Sequence, residues 1–143
     1  MKISTKGRYS LEALLYLALL GKGKYASTRE IAAETGVSEG YLEQLFIPLR
    51  KKKIIRGIRG PAGGYLPGKD PAKIKVGDIL RAVEGSLEPV ECVRLRTCPE
   101  EKHCLSRHTW TELYAAIRDC VDSISLQDLC TVYESDGSGS YAI

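Results

Sequence analysis

STREIAAETGVSEGYLEQLFIPLRK, residues 27–51, decides how the rest of the chain is read. Ser27-Thr28-Arg29-Glu30 has the form of a capping box. The serine hydroxyl can accept from a first-turn amide while the glutamate reaches back to the serine amide. The helix it opens is short and stops at Gly36. Ser38 is then placed to cap a second helix, EGYLEQLFIPLRK. Ile31, Ala32, Val37, Leu42, Leu45 and Leu49 recur at helical spacing and can pack one helix on the other. Capped helix, glycine turn, capped helix is a helix-turn-helix pattern.

Working outward, KIIRGI (residues 53–58) alternates as a short strand. RGPAGG (residues 59–64) is a glycine-rich turn, and Tyr65-Leu66 begins a return strand that Pro67 ends. A two-stranded hairpin after a helix-turn-helix makes a winged helix, with the second helix directed at the major groove and the wing at the backbone or minor groove. Upstream, residues 5–20 read as a helix buried on most of its circumference, ending near Gly21. Downstream, residues 72–82 (AKIKVGDILRA) read as a further short helix that closes the unit before Gly85.

Charge divides along the same line. Residues 1–75 hold 15 Lys+Arg against 6 Asp+Glu, a balance of +9. Residues 76–143 hold 6 against 12, a balance of −6, which returns the net +3 of the whole. The first half is built to meet a polyanion and the second is not. Arg50, Lys51, Lys52, Lys53, Arg56 and Arg59 crowd the junction of helix and wing, where they supply phosphate attraction without sequence preference. On the second helix, Ser38, Glu39, Gly40, Tyr41, Glu43 and Gln44 are the expected DNA-facing set. A carboxylate can accept from a cytosine amino group and a glutamine can read adenine. Glu43 has a second reading, pairing with a cation one turn away. Arg59 and Gly60 stand at the wing tip, where the arginine can enter a narrow minor groove or touch phosphate.

Residues 86–103 show no periodicity, contain two prolines and read as a loop. Residues 104–123 read as a longer helix whose apolar positions, Trp110, Leu113, Ile117, Val121 and Ile124, approach a heptad seam. That seam serves either a dimer interface or packing within the chain. Ser125-Leu126-Gln127-Asp128 looks like a cap for a short final helix. The expected fold is thus mainly α with a small β-hairpin wing. Its parts are a winged helix-turn-helix unit (1–85), a cysteine-bearing loop (86–103), a dimerisation helix with a short final helix (104–134) and a flexible tail (135–143).

ECVRLRTCPEEKHCLSRHTW, residues 91–110, carries three of the five cysteines. With no secretory signal in MKISTKGRYSLEALLYLALL and no apolar run long enough to span a bilayer, a cytoplasmic location is expected. Thiols stay reduced there, so metal binding or redox sensing is favoured over disulfides. Cys92, Cys98 and Cys104 fit a cluster sensor, a structural zinc site or a metal-free thiol switch. Tight CxxC pairs, the habit of zinc sites, are missing. His108, about 40° around a helix from Cys104, is a fourth donor; His103 and Glu91 are alternatives. Cys120 and Cys130 read as small core residues. No triad, phosphate loop or cofactor fingerprint appears, so an enzyme is not expected.

With these motifs placed, the chain resembles the Rrf family of winged-helix transcription factors, in particular its iron–sulfur cluster regulators. The phrases YLEQLF and RGPAGGY followed by C-x5-C-x5-C carry the likeness, which runs from MKISTKGRY to SISLQDL. The resemblance implies a homodimer, and a [2Fe–2S] cluster on the three cysteines and a histidine, supplied by the cluster-assembly machinery. It implies control of cluster-biogenesis genes through operator DNA, with Glu43 as base reader and Arg59 as wing arginine. Family members that sense nitric oxide through a [4Fe–4S] cluster also carry three cysteines. One position departs from the pattern: the family's histidine follows the third cysteine as C-x2-H, where this chain has Arg107, and histidine falls one residue later at His108.

Overall fold

A computed structural model describes residues 2–95 and 104–136. The capping box forms as its spacing predicts. Ser27 N–H donates to Glu30 Oε2 at 2.9 Å, and Glu30 N–H to Ser27 Oγ at 3.1 Å, opening α2 (Thr28–Thr35). Gly36 closes α2 in the left-handed region at φ 76°, which glycine enters without steric cost. Ser38 Oγ then accepts from Tyr41 N–H and starts α3 (Glu39–Lys51). Ile31, Leu42, Phe46 and Leu49 close the helix pair on a core that also takes Ala13, Leu14 and Leu17 of α1 (Thr5–Leu19).

The end of α3 is built in a particular way. Ile54 N–H donates to Leu49 O and Lys53 N–H to Arg50 O, the 6→1 and 5→2 bonds of a Schellman motif. Buried Ile54 and Leu49 supply its apolar contact. The left-handed position, at φ 61°, is Lys53 rather than glycine. That choice costs about 1 kcal/mol and sets a cation where helix meets wing. Lys53→Gly is therefore expected to raise stability by about 0.5–1 kcal/mol, seen as a later urea midpoint at unchanged m, while weakening DNA binding at low salt. A loss of stability would show that the lysine stem packs where the backbone argument gives it no role.

Two residues spent on that termination move the first strand to Ile55–Ile58 (β1), later than the expected start at Lys53. β2 (Gly64–Pro67) pairs antiparallel with it, Ile55 opposite Pro67 and Ile58 opposite Gly64. Ala26 and Tyr65 exchange both backbone hydrogen bonds, so the segment before α2 forms the hairpin's third edge. Gly64 is required there, because a Cβ would run into the Ala26 carbonyl.

The helix expected over 72–82 is broken. A 3₁₀ turn (Pro71–Lys73) is followed by extended backbone at Ile74 and Lys75, and α4 runs Val76–Glu84. The reason is distant in the chain. Ile74 O accepts from Leu126 N–H at 2.8 Å, and Val76 N–H donates to Ile124 O at 2.9 Å. Backbone groups that a local helix would use are committed to this bridge. The far end of α4 is pinned too. Glu84 Oε1 accepts from Ser4 N–H, Ser4 Oγ–H and Gly7 N–H at 2.7–2.9 Å. Burial pushes the Glu84 carboxyl up, but these bonds outweigh it and hold it below its ordinary value.

The remaining helices are α5 (Glu91–Leu95), α6 (Arg107–Ser123) and α7 (Leu126–Ser135). The loop reading of 86–103 thus gives way to a short helix at 91–95, and the long helix starts three residues after Cys104 rather than at it. Ser125 and Asp128 form the expected capping box at the head of α7. Leu126, fully buried, sits in the same core as Ala13, Phe46 and Leu49, so packing cuts across the division of the chain at 103/104. Ile117, Val121 and Ile124 of the seam pack within the chain against Val76, Leu80 and Leu87, while Leu113 stays exposed and α6 has no fully buried residue. Arg81 clamps α4 to α6 by a bidentate pair with Asp122, at 2.8 and 2.9 Å. Gly77 keeps the space clear, since a Cβ there would meet the Asp122 carboxylate. Ser135 ends α7; the rest of the expected tail, 137–143, lies outside the described residues. Among the described residues no helix is long and apolar enough to cross a membrane.

Candidate nucleic-acid interface and thiol segment

The outward face of α3 presents Glu39, Gly40, Glu43 and Gln44, all exposed, and ends in Arg50 and Lys51. Among the described residues no cation pairs with Glu43, so its carboxylate is free to meet a base edge. Ser38 is exposed, with its hydroxyl engaged in the cap. Tyr41, also of the expected DNA-facing set, packs partly inward. It is half-buried, its ring stands edge-on to Tyr9 at 5.9 Å, and its hydroxyl lies 3.1 Å from Thr5 Oγ1. It braces α3 against α1. On the wing, Arg56, Arg59 and Gly60 are exposed, Gly60 turning the tip at φ 111°. Phe46 and Tyr65 meet with ring centroids 4.7 Å apart and planes tilted by 54°, so the wing and α3 share an aromatic contact. Sequence reasoning passes over Ile47, which is 61% exposed in the middle of this face. The available signal is its spacing of four from Glu43 and three from Gln44.

The thiols lie at the opposite end of the chain's logic. Cys92 is half-buried on α5, which packs beside α6. Cys104 precedes α6, its sulfur 3.7 Å from Ser106 Oγ. The Ser106 hydroxyl, with the backbone amides of Ser106 and Arg107, holds the Cys104 thiol below its ordinary value and favours thiolate. Cys98 and His103 lie outside the described residues. His108 is exposed on the first turn of α6. Its expected alignment with Cys104 required both to be helical, and Cys104 is not. Among the described residues no three of His, Cys, Asp or Glu gather as a metal set, so Cys92, Cys104 and His108 are not brought together. The donor chemistry, thiols with one in a thiolate-favouring environment, suits iron or zinc in kind. Glu91, the other alternative donor, opens α5 and is exposed. Trp110 is half-buried and donates its indole N–H to Ser106 Oγ at 3.0 Å. Cys130 is buried as expected, with its thiol pushed up by that burial. Cys120 is exposed on α6 and so is not a core residue of the single chain.

Fold and face together define a winged-helix DNA-binding protein. A family model described as "Rrf2: Iron-dependent Transcriptional regulator" matches residues 3–132. The chain is 38% identical over 136 residues to the HTH-type transcriptional regulator CymR of Bacillus subtilis (strain 168), covering 95% of this chain and 94% of that one. The solved structure of CymR, the global cysteine regulator of B. subtilis, superposes with a TM-score of 0.80 over 92% of this chain and 98% of its own. The HTH-type transcriptional regulator IscR of Photorhabdus laumondii is 37% identical over 129 residues, 90% of this chain and 79% of the relative. The structure of T. potens IscR matches at 35% identity and a TM-score of 0.77, over 95% and 90% of the two chains. The chain belongs to the Rrf2 family of DNA-binding transcriptional regulators.

Proposed function

We propose that this chain acts in the cytoplasm as a homodimer on double-stranded operator DNA, and that the state of residues 92–104 decides which sites it binds. The observation that carries the reading is the wiring between the two ends. Cys104 leads directly into α6, and α6 is clamped through Arg81 and Asp122 to α4, whose far end Glu84 ties to the head of α1. In this reading a change at the thiols passes through these contacts and biases the relative setting of the recognition helices. Dimerisation is supported by α6, a long helix with no fully buried residue and with Leu113 exposed.

In this reading Cys92, Cys98 and Cys104 hold a [2Fe–2S] cluster delivered by the assembly machinery, with His108, exposed and free to turn, as fourth donor. The regulated genes are then those of cluster biogenesis. What such a group supplies is coordination that can be gained, lost or oxidised. On the DNA side, Glu43 and Gln44 read base edges while Arg50, Lys51, Arg56 and Arg59 hold phosphates. A second reading, a thiol switch without metal, is favoured by the Ser106 hydroxyl that lowers the Cys104 thiol, and by Cys92, Cys104 and His108 standing apart among the described residues.

Anaerobic purification, followed by visible and Mössbauer spectra with iron and sulfide per chain, separates the readings. Replacing Cys92, Cys98 and Cys104 together by alanine is expected to abolish the visible iron absorption, to leave a folded dimer by light scattering, and to change the preference among DNA sites. A [4Fe–4S] spectrum would redirect the reading to the nitric-oxide sensors. No metal under strict anaerobiosis would favour the thiol switch, and zinc would favour a structural metal site. A triple variant with unchanged DNA preference would end the switching idea in every form.

A further inference from the structure

We propose that Ile47 reads a thymine methyl group in the major groove, a contact that rests on the DNA-binding reading above and adds an apolar determinant to it. Ile47 is 61% exposed on the outward face of α3. Its neighbours one turn away are Glu43, Gln44, Arg50 and Lys51, every one exposed. The buried side of the helix is complete without it, through Leu42, Leu45, Phe46 and Leu49.

By local rules this residue is a poor choice. A β-branched side chain loses rotamer freedom in a helix, and this one also keeps its apolar surface in water. Pro48 behind it disfavours helical backbone at the preceding residue. Having no N–H, Pro48 also leaves the Gln44 carbonyl without its helical donor. Two unfavourable choices in succession, the first of them on a face that the core does not need, are the mark of a position kept for contact with something else.

The surroundings identify that partner. A protein interface centres on apolar area from which charge is depleted. Ile47 is instead a single apolar side chain ringed by a carboxylate, an amide and two cations, in a half-chain of net charge +9. A polyanion with isolated methyl groups on an otherwise polar floor matches that pattern. In the major groove only thymine presents a C5 methyl, and an apolar side chain is what contacts it. Glu43 and Gln44, one turn back, address the polar edges of adjacent base pairs, and Ile47 completes a mixed row.

The test uses the full-length protein and the duplex that it selects from a random-sequence pool. Each thymine is replaced singly by deoxyuridine, which lacks only the methyl, and affinity is measured by fluorescence anisotropy. One position in each half-site is expected to weaken binding about 4-fold, the worth of one buried methyl. Ile47→Ala is expected to bind the thymine and uracil forms at that position equally, and Ile47→Val to keep part of the difference. Because Ile47 is exposed, both variants are expected to keep the wild-type thermal midpoint. If no thymine position matters, or if the uracil penalty persists undiminished in Ile47→Ala, the inference is overturned while the regulator reading stands. If the wild-type protein selects no sequence at all, both fall together.

Discussion

Phe46→Ala is expected to destabilise the chain by about 3–5 kcal/mol, the usual cost of emptying a large buried ring site. Phe46 is 1% exposed and lies at the meeting point of three parts of the molecule: the helix pair, α1 and the wing. Its ring also meets Tyr65 at a tilt, with centroids 4.7 Å apart. Against a typical total of about 5–15 kcal/mol, that loss leaves a marginal fold, and the surviving native state has lost the aromatic contact between the wing and α3. Urea unfolding with unchanged m reports the first effect, and DNA affinity measured below the transition reports the second. Ile47→Ala, one residue along the same helix but outside the core, is the control and should move stability by less than about 0.5 kcal/mol. Equal midpoints for the two variants would mean that the inward and outward faces of α3 have been assigned wrongly.

Neutralising Arg50, Lys51, Arg56 and Arg59 to glutamine together is expected to flatten the salt dependence of DNA binding. Each neutralised phosphate partner takes about 0.9 from the slope of log affinity against log salt, so four take about 3.6 per subunit. All four side chains are exposed, and none has a carboxylate partner among the described residues, so their charge is available to counter phosphate. The affinity loss should be greatest at low salt and shrink as salt rises. It should fall equally on specific and random duplexes, because phosphate contacts carry no sequence information. A slope that stays at its wild-type value would move the phosphate-binding face elsewhere on the basic half. A loss confined to specific duplexes would turn these cations into base readers.

Legibility follows the range of the interactions. Both capping boxes, at Ser27 and Ser125, and the Ser38 cap form as their spacing predicts, because all three are closed within four residues. The hairpin is equally plain, since the glycine-rich turn and the flanking strands are neighbours in the chain. Termination of α3 is less plain. A lysine in the left-handed position hides a Schellman motif that glycine would have announced, and that delays the strand by two residues. In the candidate site, Glu43, Gln44, Arg50 and Lys51 follow from helical phase, and Arg56 and Arg59 from the hairpin pattern. Ile47 escapes notice because apolar residues are habitually assigned to the core, and the alignment of His108 with Cys104 fails because α6 starts three residues later than its pattern suggests.

By itself, the sequence determined the basic winged helix, the exposed polar face of its second helix and the presence of three regularly spaced thiols. Tertiary structure decided that residues 74–76 leave the helix to pair with residues 124–126. It also decided that Leu126 joins the main core, and that α6 is locked to α4 through Arg81 and Asp122. The physical reason is the same in each case. A cap or turn satisfies backbone groups with partners a few residues away, and composition reveals it. A bridge between distant segments wins only when the rest of the core has already brought the two strands of chain together, and no local pattern records that meeting.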